Sequence, residues 1–360
     1  MSVSRLWRRR GATVLVTVLA ALAVGLVACG GDDDDDDDTG DTTEATTTTE
    51  EAAEGTVLAE ETDATFVLDF LPNAVHAGVY TSLANNCYAD RNINLDIIEP
   101  TSTADTLKLI DAGQADFGVV DGIEIALQIN EGLDIKGIMA MVQRPQGAVV
   151  ALEESGITDP PGLNGETVGV TGIPSDEVVL NTVMTEGGGD FDSLDIVTTG
   201  FNGVQNLLEG KVSAFTGFGV DAVQVEVEGD PTTVFRLDEF GGPQYPGLTV
   251  FSTQNRIDED PDLMAAFVEC TVDGYNQVIE DPAAGLADLL AEVDGLDEEL
   301  QSAWLDFYLP QFVGNASTFG ELQTANLDAL SDWLVENELI GAPIPADQFG
   351  TNEFVPGVEG

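Results

Sequence analysis

The chain has 360 residues, 43% of them hydrophobic, which is enough for two modest domains with real cores. Against 66 acidic residues it sets only 11 Lys and Arg and one His, for a formal net charge of −55. Nothing on such a surface could neutralise phosphates, so nucleic acid is excluded as a partner. The density of acid suggests a salty habitat or a strongly hydrated exterior.

The first residues read as a targeting segment. Arg5 and Arg8-Arg9-Arg10 form a basic region, and Ala12 to Val27 is an apolar stretch too short for a comfortable membrane span. It ends Leu26-Val27-Ala28-Cys29-Gly30, which resembles a bacterial lipobox. Residues 1–28 are therefore expected to be a lipoprotein signal peptide, and Cys29 the lipidated N-terminus of the mature chain. Asp32 to Asp38 is an unbroken run of aspartate, and Thr- and Glu-rich sequence follows. Residues 29–62 should form a disordered acidic tether, because they cannot bury enough apolar surface to offset ordering. Fourteen of the 66 acids lie in residues 32–62, leaving 52 against 7 bases beyond them.

From residue 63 the pattern alternates strand and helix. Phe66 to Phe70 reads as a buried strand, Leu71-Pro72-Asn73 ends it, and a helix runs from Ala74 to residue 86. Asn94–Ile98 is a strand. Pro100-Thr101-Ser102-Thr103-Ala104-Asp105 opens a helix to Ala112, with Ser102 and Asp105 spaced as a capping box. Asp116–Val120 is a short strand, Gly122–Asn130 a helix, and Ile135–Gln143 and Ala148–Leu152 two further strands. Strands separated by helices mean parallel βαβ units.

Pro160-Pro161-Gly162 reads as a boundary, after which the same grammar restarts: strands at 167–171, 195–198, 213–216 and 234–237, helices at 177–186 and 204–209. Leu248–Ser252 is one more strand. The last third holds long helices at 261–280, 283–292, 297–309 and 319–337. The stripes Leu263/Phe267/Cys270/Gly274 and Trp304/Phe307/Tyr308 read as core.

Catalytic chemistry is thinly represented. There is one histidine (His76), no Gly-x-Ser-x-Gly, no phosphate loop and no metal-ligand spacing. No cofactor and no metal are expected. A binding site is better supported, formed where loops of two facing α/β lobes converge. Its candidates are Asp69, Asn73, His76, Tyr80, Thr103, Asp121, Gln143, Ser175, Asp176, Phe201, Asn202, Phe218 and Tyr245. Arg144 is the one obvious cation nearby. Aromatic and amide groups dominate the set, which fits a flat neutral or cationic ligand better than a sulfonate or nitrate. Besides Cys29, only Cys87 and Cys270 remain, either as a disulfide or as two separate thiols.

Leu68-Asp69-Phe70-Leu71-Pro72-Asn73-Ala74-Val75-His76-Ala77-Gly78-Val79-Tyr80 resembles the signature of the thiamine-pyrimidine-type, NMT1-like binding proteins of ABC importers. Further matches are Ala104 to Gly118, Leu163 to Val170, and Ala265-Ala266-Phe267 through Gly274-Tyr275 to Asp281-Pro282. The family usually has Trp where this chain has Phe70.

The resemblance implies an α/β fold of the periplasmic-binding-protein type II: two lobes, a Venus flytrap, joined by a two-strand hinge near residues 150–160 and 238–248. Lobe 1 would hold residues 63–152 and 245–360, and lobe 2 residues 153–244. On that fold Cys270 returns against the first lobe, which makes a Cys87–Cys270 disulfide the expectation. Function would be delivery of an aromatic heterocycle, such as a thiamine pyrimidine precursor, to ABC permease subunits. The protein would work outside the cytoplasm as a lipid-anchored monomer, with Asn73, His76 and Tyr80 contacting the ligand. Alternatives are a receptor for sulfonate, nitrate or riboflavin. Another is a pyrimidine synthase that consumes His76 and uses a pyridoxal cofactor, although the iron motif of such synthases is missing here.

Overall fold

The computed structural model describes residues 55–358. The expected signal peptide, the expected lipidation at Cys29 and most of the expected tether therefore lie outside the described residues. Folded structure begins earlier than residue 63, because Val57-Leu58 supplies an apolar pair within the acidic stretch. Leu58 is buried, its N–H donates to the Arg91 carbonyl at 3.1 Å, and the Thr56 N–H donates to Glu269 at 2.7 Å.

The first part of the chain runs β1 (Thr62–Val67), α1 (Ala77–Ala84), α2 (Cys87–Asp90), β2 (Ile93–Ile98), α3 (Thr103–Asp111), β3 (Phe117–Val120), α4 (Gly122–Glu131) and β4 (Ile135–Val142). The helix expected over 74–86 starts as a 3-10 turn (Ala74–His76) and ends at Ala84, before Asn86, which takes φ +60°, a conformation asparagine tolerates. Ser102 makes no side-chain cap on α3; Thr101 bonds to Asp105 instead. Then come β5 (Gly147–Leu152), β6 (Thr167–Val170), α5 (Pro174–Glu186), β7 (Asp195–Thr198), α6 (Gly203–Leu208), β8 (Ala214–Phe218), α7 (Gly219–Val227) and β9 (Thr232–Arg236). The chain ends with β10 (Leu248–Thr253), α8 (Gln254–Glu259), α9 (Pro261–Glu280), α10 (Pro282–Glu292), α11 (Glu298–Val313), α12 (Thr324–Glu336) and α13 (Ala346–Phe349).

These strands make two five-stranded sheets, ordered β2-β1-β3-β10-β4 and β7-β6-β8-β5-β9. Each is mixed. In the first, β1 pairs parallel with β2 and β3, and β10 runs antiparallel between β3 and β4. In the second, β6 pairs parallel with β7 and β8, and β5 runs antiparallel between β8 and β9. This is the two-lobed arrangement of a type II binding protein.

The sheet pairing corrects one boundary. β5 was expected to close the first lobe, yet its register (Gly147 opposite Phe218, Ala151 opposite Ala214) places it inside the second sheet. Ala148 to Ala151 are fully buried, as suits a strand covered on both faces. The chain therefore crosses between sheets at residues 143–146 and returns at 237–247. Pro160–Leu163, expected to mark a boundary, is a single 3-10 turn within the second lobe.

The last third packs back on the first sheet. Phe267 of α9 stacks on Phe117 with ring centroids 3.8 Å apart and meets Phe66 edge-on at 5.5 Å. Gly274 brings α9 against α1 so closely that a Cβ there would lie 2.0 Å from the Gly78 carbonyl oxygen. A disulfide joins Cys87 to Cys270, their Cα atoms 5.7 Å apart. α11 reaches further. Phe307 lies 5.7 Å beneath the Arg236 guanidinium of the second lobe, and Gln311 accepts from the Gln143 N–H at 2.8 Å. α12 begins at Thr324, five residues later than expected, because Gly320 bridges to Ala140 of β4 and holds that stretch extended.

Candidate functional site

The carboxyl ends of β1, β3, β6 and β8 empty into one cavity of about 430 Å³ between the two sheets, a size usual for a small-molecule site. The turn after β1 builds its first wall. Asn73 caps the short 3-10 turn Ala74–His76 by accepting from the Val75 N–H at 2.9 Å, and its amide donates to the Leu71 carbonyl at 2.9 Å. Gln301 of α11 accepts the otherwise orphaned Ala74 N–H at 2.7 Å. His76 is fully buried behind this turn. Its Nδ1 accepts from the Asn73 N–H at 3.3 Å, so Nε2 carries the hydrogen and donates to Asp69 at 2.8 Å. His76 thus aims Asp69, and Asp69 faces the cavity.

Of the residues expected to form the site, Asp69, Asn73, Asp121, Ser175, Asp176, Phe201, Asn202, Phe218 and Tyr245 line this cavity. His76 does not, because it is spent positioning Asp69. Tyr80 also points elsewhere: it is buried near Glu99 and Glu292, and burial above all pushes its hydroxyl up to about 12. Gln143 donates to the Glu321 carbonyl at 2.8 Å and accepts from Gln323, away from the cavity. Thr103 opens α3, but its side chain lies outside the described residues. Arg144 is off the wall too, paired with Asp238 at 2.7 Å. Sequence reasoning missed Glu124, Thr216, Asp221, Gln301, Trp304 and Tyr308, all on the wall. Trp304 and Tyr308 belong to the buried core, as their helical spacing indicates, and also face the cavity, which that spacing does not reveal.

Among the described residues, the wall carries five carboxyls (Asp69, Asp121, Glu124, Asp176, Asp221) and no Lys, Arg or His. Burial raises Asp121 to about 8 against the pull of the Ile123 N–H, with Glu124 and Asp69 adding repulsion. Burial likewise raises Asp221 to about 6, opposed by the Phe218 N–H. Glu124 and Asp176 are also raised by burial.

The start of α5 leaves no donor free for an external anion. Asp176 accepts from the Gly172 N–H at 2.6 Å and the Ile173 N–H at 3.0 Å. Pro174 has no N–H. Glu124, reaching from α4 of the first lobe, accepts from the Ser175 N–H at 3.0 Å. A helix N-terminus normally welcomes an anion, and here the chain's own carboxyls fill that place. A second contact spans the lobes: Phe70 meets Phe201 edge-to-face with centroids 4.6 Å apart. Phe215, Phe218, Tyr245, Trp304 and Tyr308 complete an aromatic lining. Among the described residues no cluster suited to a metal ion occurs.

The fold and the cleft define a two-lobed binding protein of type II. Residues 73–285 match the NMT1/THI5 like family model, and the chain belongs to that family. It is similar to the formylaminopyrimidine-binding protein of Halalkalibacterium halodurans, with 26% identity over 78% of this chain and 87% of that protein. It is also similar to the 4-amino-5-hydroxymethyl-2-methylpyrimidine phosphate synthase THI12 of Saccharomyces cerevisiae, with 24% identity over 61% of this chain and 67% of the synthase. Among solved structures, the alkanesulfonate-binding protein SsuA of Xanthomonas axonopodis pv. citri bound to MOPS superposes with a TM-score of 0.65 at 13% identity. That match covers 82% of this chain and 100% of that one. The relatives of this chain thus include both a binding protein and a synthase.

Proposed function

We propose that this protein is the extracytoplasmic receptor of an ABC importer, held to the membrane by a lipid on Cys29. It binds a small aromatic heterocycle of the thiamine-pyrimidine-precursor kind between its lobes and delivers it, as a monomer, to the permease. The carrying observation is the wall itself: aromatic rings from both lobes, carboxyl and amide groups for orientation, and no basic side chain. No described helix is long and apolar enough to cross a membrane. Asp69, Asn73, Asp121, Phe201, Phe218 and Tyr245 are the proposed ligand contacts, with the two crossings at 143–146 and 237–247 as the hinge. Lobe 2 then spans residues 147–236.

The filled N-terminus of α5 speaks against a sulfonate or nitrate ligand. A synthase that consumes His76 is disfavoured because that ring is fully buried behind Asp69. A thermal-shift screen of pyrimidines, flavins, amines and sulfonates tests the proposal. A pyrimidine or related ring is expected to raise the melting temperature. Stabilisation by sulfonate alone, or pyrimidine formation with loss of His76 in the presence of pyridoxal phosphate and iron, would overturn it.

A further inference from the structure

Building on the heterocycle-receptor reading above, we propose that the cleft takes its ligand as a cation: an aromatic ring bearing an amine, seated between Asp69 and Asp121 of the first lobe and Asp221 of the second. Each of these carboxyls spends one oxygen on its own scaffold. Asp69 Oδ1 receives His76, Asp121 Oδ1 receives the Ile123 N–H, and Asp221 Oδ2 receives the Phe218 N–H. The remaining oxygens are lightly used: Asp121 Oδ2 has only the Tyr245 hydroxyl at 3.4 Å. Three anchored carboxyls with uncommitted oxygens on one wall make a preorganised seat for N–H donors carrying positive charge.

A second observation is independent of the acids. The Thr216 hydroxyl and the Trp304 indole N–H are both buried on this wall without a hydrogen-bond partner. Unpartnered buried polar atoms are rare, and a ligand that completes them accounts for both. The hydroxyl can accept from an ammonium, and the indole can donate to a ring nitrogen. The surrounding aromatic faces add cation–π attraction. No protein cation competes, since Arg144 and Arg236 are held by Asp238.

Burial supports the same reading. With burial raising Asp121 to about 8 and Asp221 to about 6, Asp121, faced by Asp69, Glu124 and Tyr245, is protonated at neutral pH. An arriving cation favours the ionised form, so Asp121 gives its proton to solvent as the ligand binds. Affinity for a cation should then rise with pH until Asp121 is already ionised, near pH 8.

The probes are an aminomethylpyrimidine with a free primary amine and its N-formyl derivative, which keep the ring and remove the charge. Both are titrated calorimetrically into the purified protein at about pH 6 and about pH 8, in buffers of different ionisation enthalpy. The amine should bind at least about tenfold tighter than the formyl compound, gain affinity at the higher pH, and release protons on binding. Asp121→Asn should erase the amine's advantage over the formyl compound and flatten the pH slope of amine binding. Asp221→Asn serves as the second variant if Asp121→Asn does not fold. Equal or tighter binding of the formyl compound, or binding of the amine without proton release, overturns the inference and leaves the receptor reading standing. Failure of both rings to bind overturns both.

Discussion

Asp121→Asn should make this protein more stable, and the gain should grow with pH. Asparagine caps α4 as well as aspartate does, so the bond to the Ile123 N–H is kept. What disappears is a buried carboxyl whose pKa is raised from 3.8 to about 8, chiefly by burial. A carboxyl raised on folding contributes stability at low pH and withdraws it as pH climbs from its unfolded value toward its folded one. At neutral pH the unfolded group is ionised and the folded group protonated. Taking up that proton costs about 1.4 kcal/mol per pH unit above 3.8, an upper bound of roughly 4 kcal/mol at pH 7. Allowing for a weaker contact to Tyr245, the variant should gain roughly 2–4 kcal/mol, a rise in melting temperature of about 5 °C or more. Urea denaturation and thermal melts of both proteins between about pH 4 and pH 8 measure it. A gain independent of pH, or a variant less stable than the parent at neutral pH, would refute the reasoning.

Tyr275→Phe removes the hydroxyl that donates to the Val75 carbonyl at 2.6 Å, and the buried oxygen left behind should cost about 1–2 kcal/mol in urea unfolding. Gly274→Ala forces a methyl group against the Gly78 carbonyl where α9 meets α1, and is expected to cost about 3 kcal/mol or to prevent folding, as circular dichroism will show. The disulfide closes a loop of 183 residues, for which chain entropy allows about 4–5 kcal/mol. A Cys87→Ser/Cys270→Ser double variant should melt lower by a corresponding margin, and the parent, denatured without reductant, should show no free thiol from this pair. Phe201→Ala opens the interlobe ring contact and should weaken heterocycle binding by roughly 1 kcal/mol or more in calorimetry, with the melt of the free protein little changed.

Local structure was legible wherever periodicity and punctuation agree. Pro261 after Asp260 and Pro282 after Asp281 mark helix starts, and α9 spans residues 261–280 as its apolar spacing indicates. The turn after β1 was readable from Pro72-Asn73 because the physics is local. Sheet membership was not, since β5 carries the same apolar run whichever lobe receives it; only its pairing with β8 and β9 decides. The site was half legible. Loop residues at strand ends, such as Asp69, Asp121 and Ser175, fall on the cavity because the fold places such ends there. His76 and Tyr80 were misplaced because sequence shows that a turn is polar, but not which of its side chains faces inward. α11 was read as core, and nothing in its spacing tells that Trp304 and Tyr308 reach a cavity between lobes.

The most direct test of the receptor account is a calorimetric titration of the purified protein with an aminopyrimidine and, separately, with methanesulfonate. One equivalent of the pyrimidine is expected to bind, with affinity lowered by Phe201→Ala, and methanesulfonate is expected to give no binding heat. Binding of methanesulfonate without binding of any aromatic heterocycle would contradict the account.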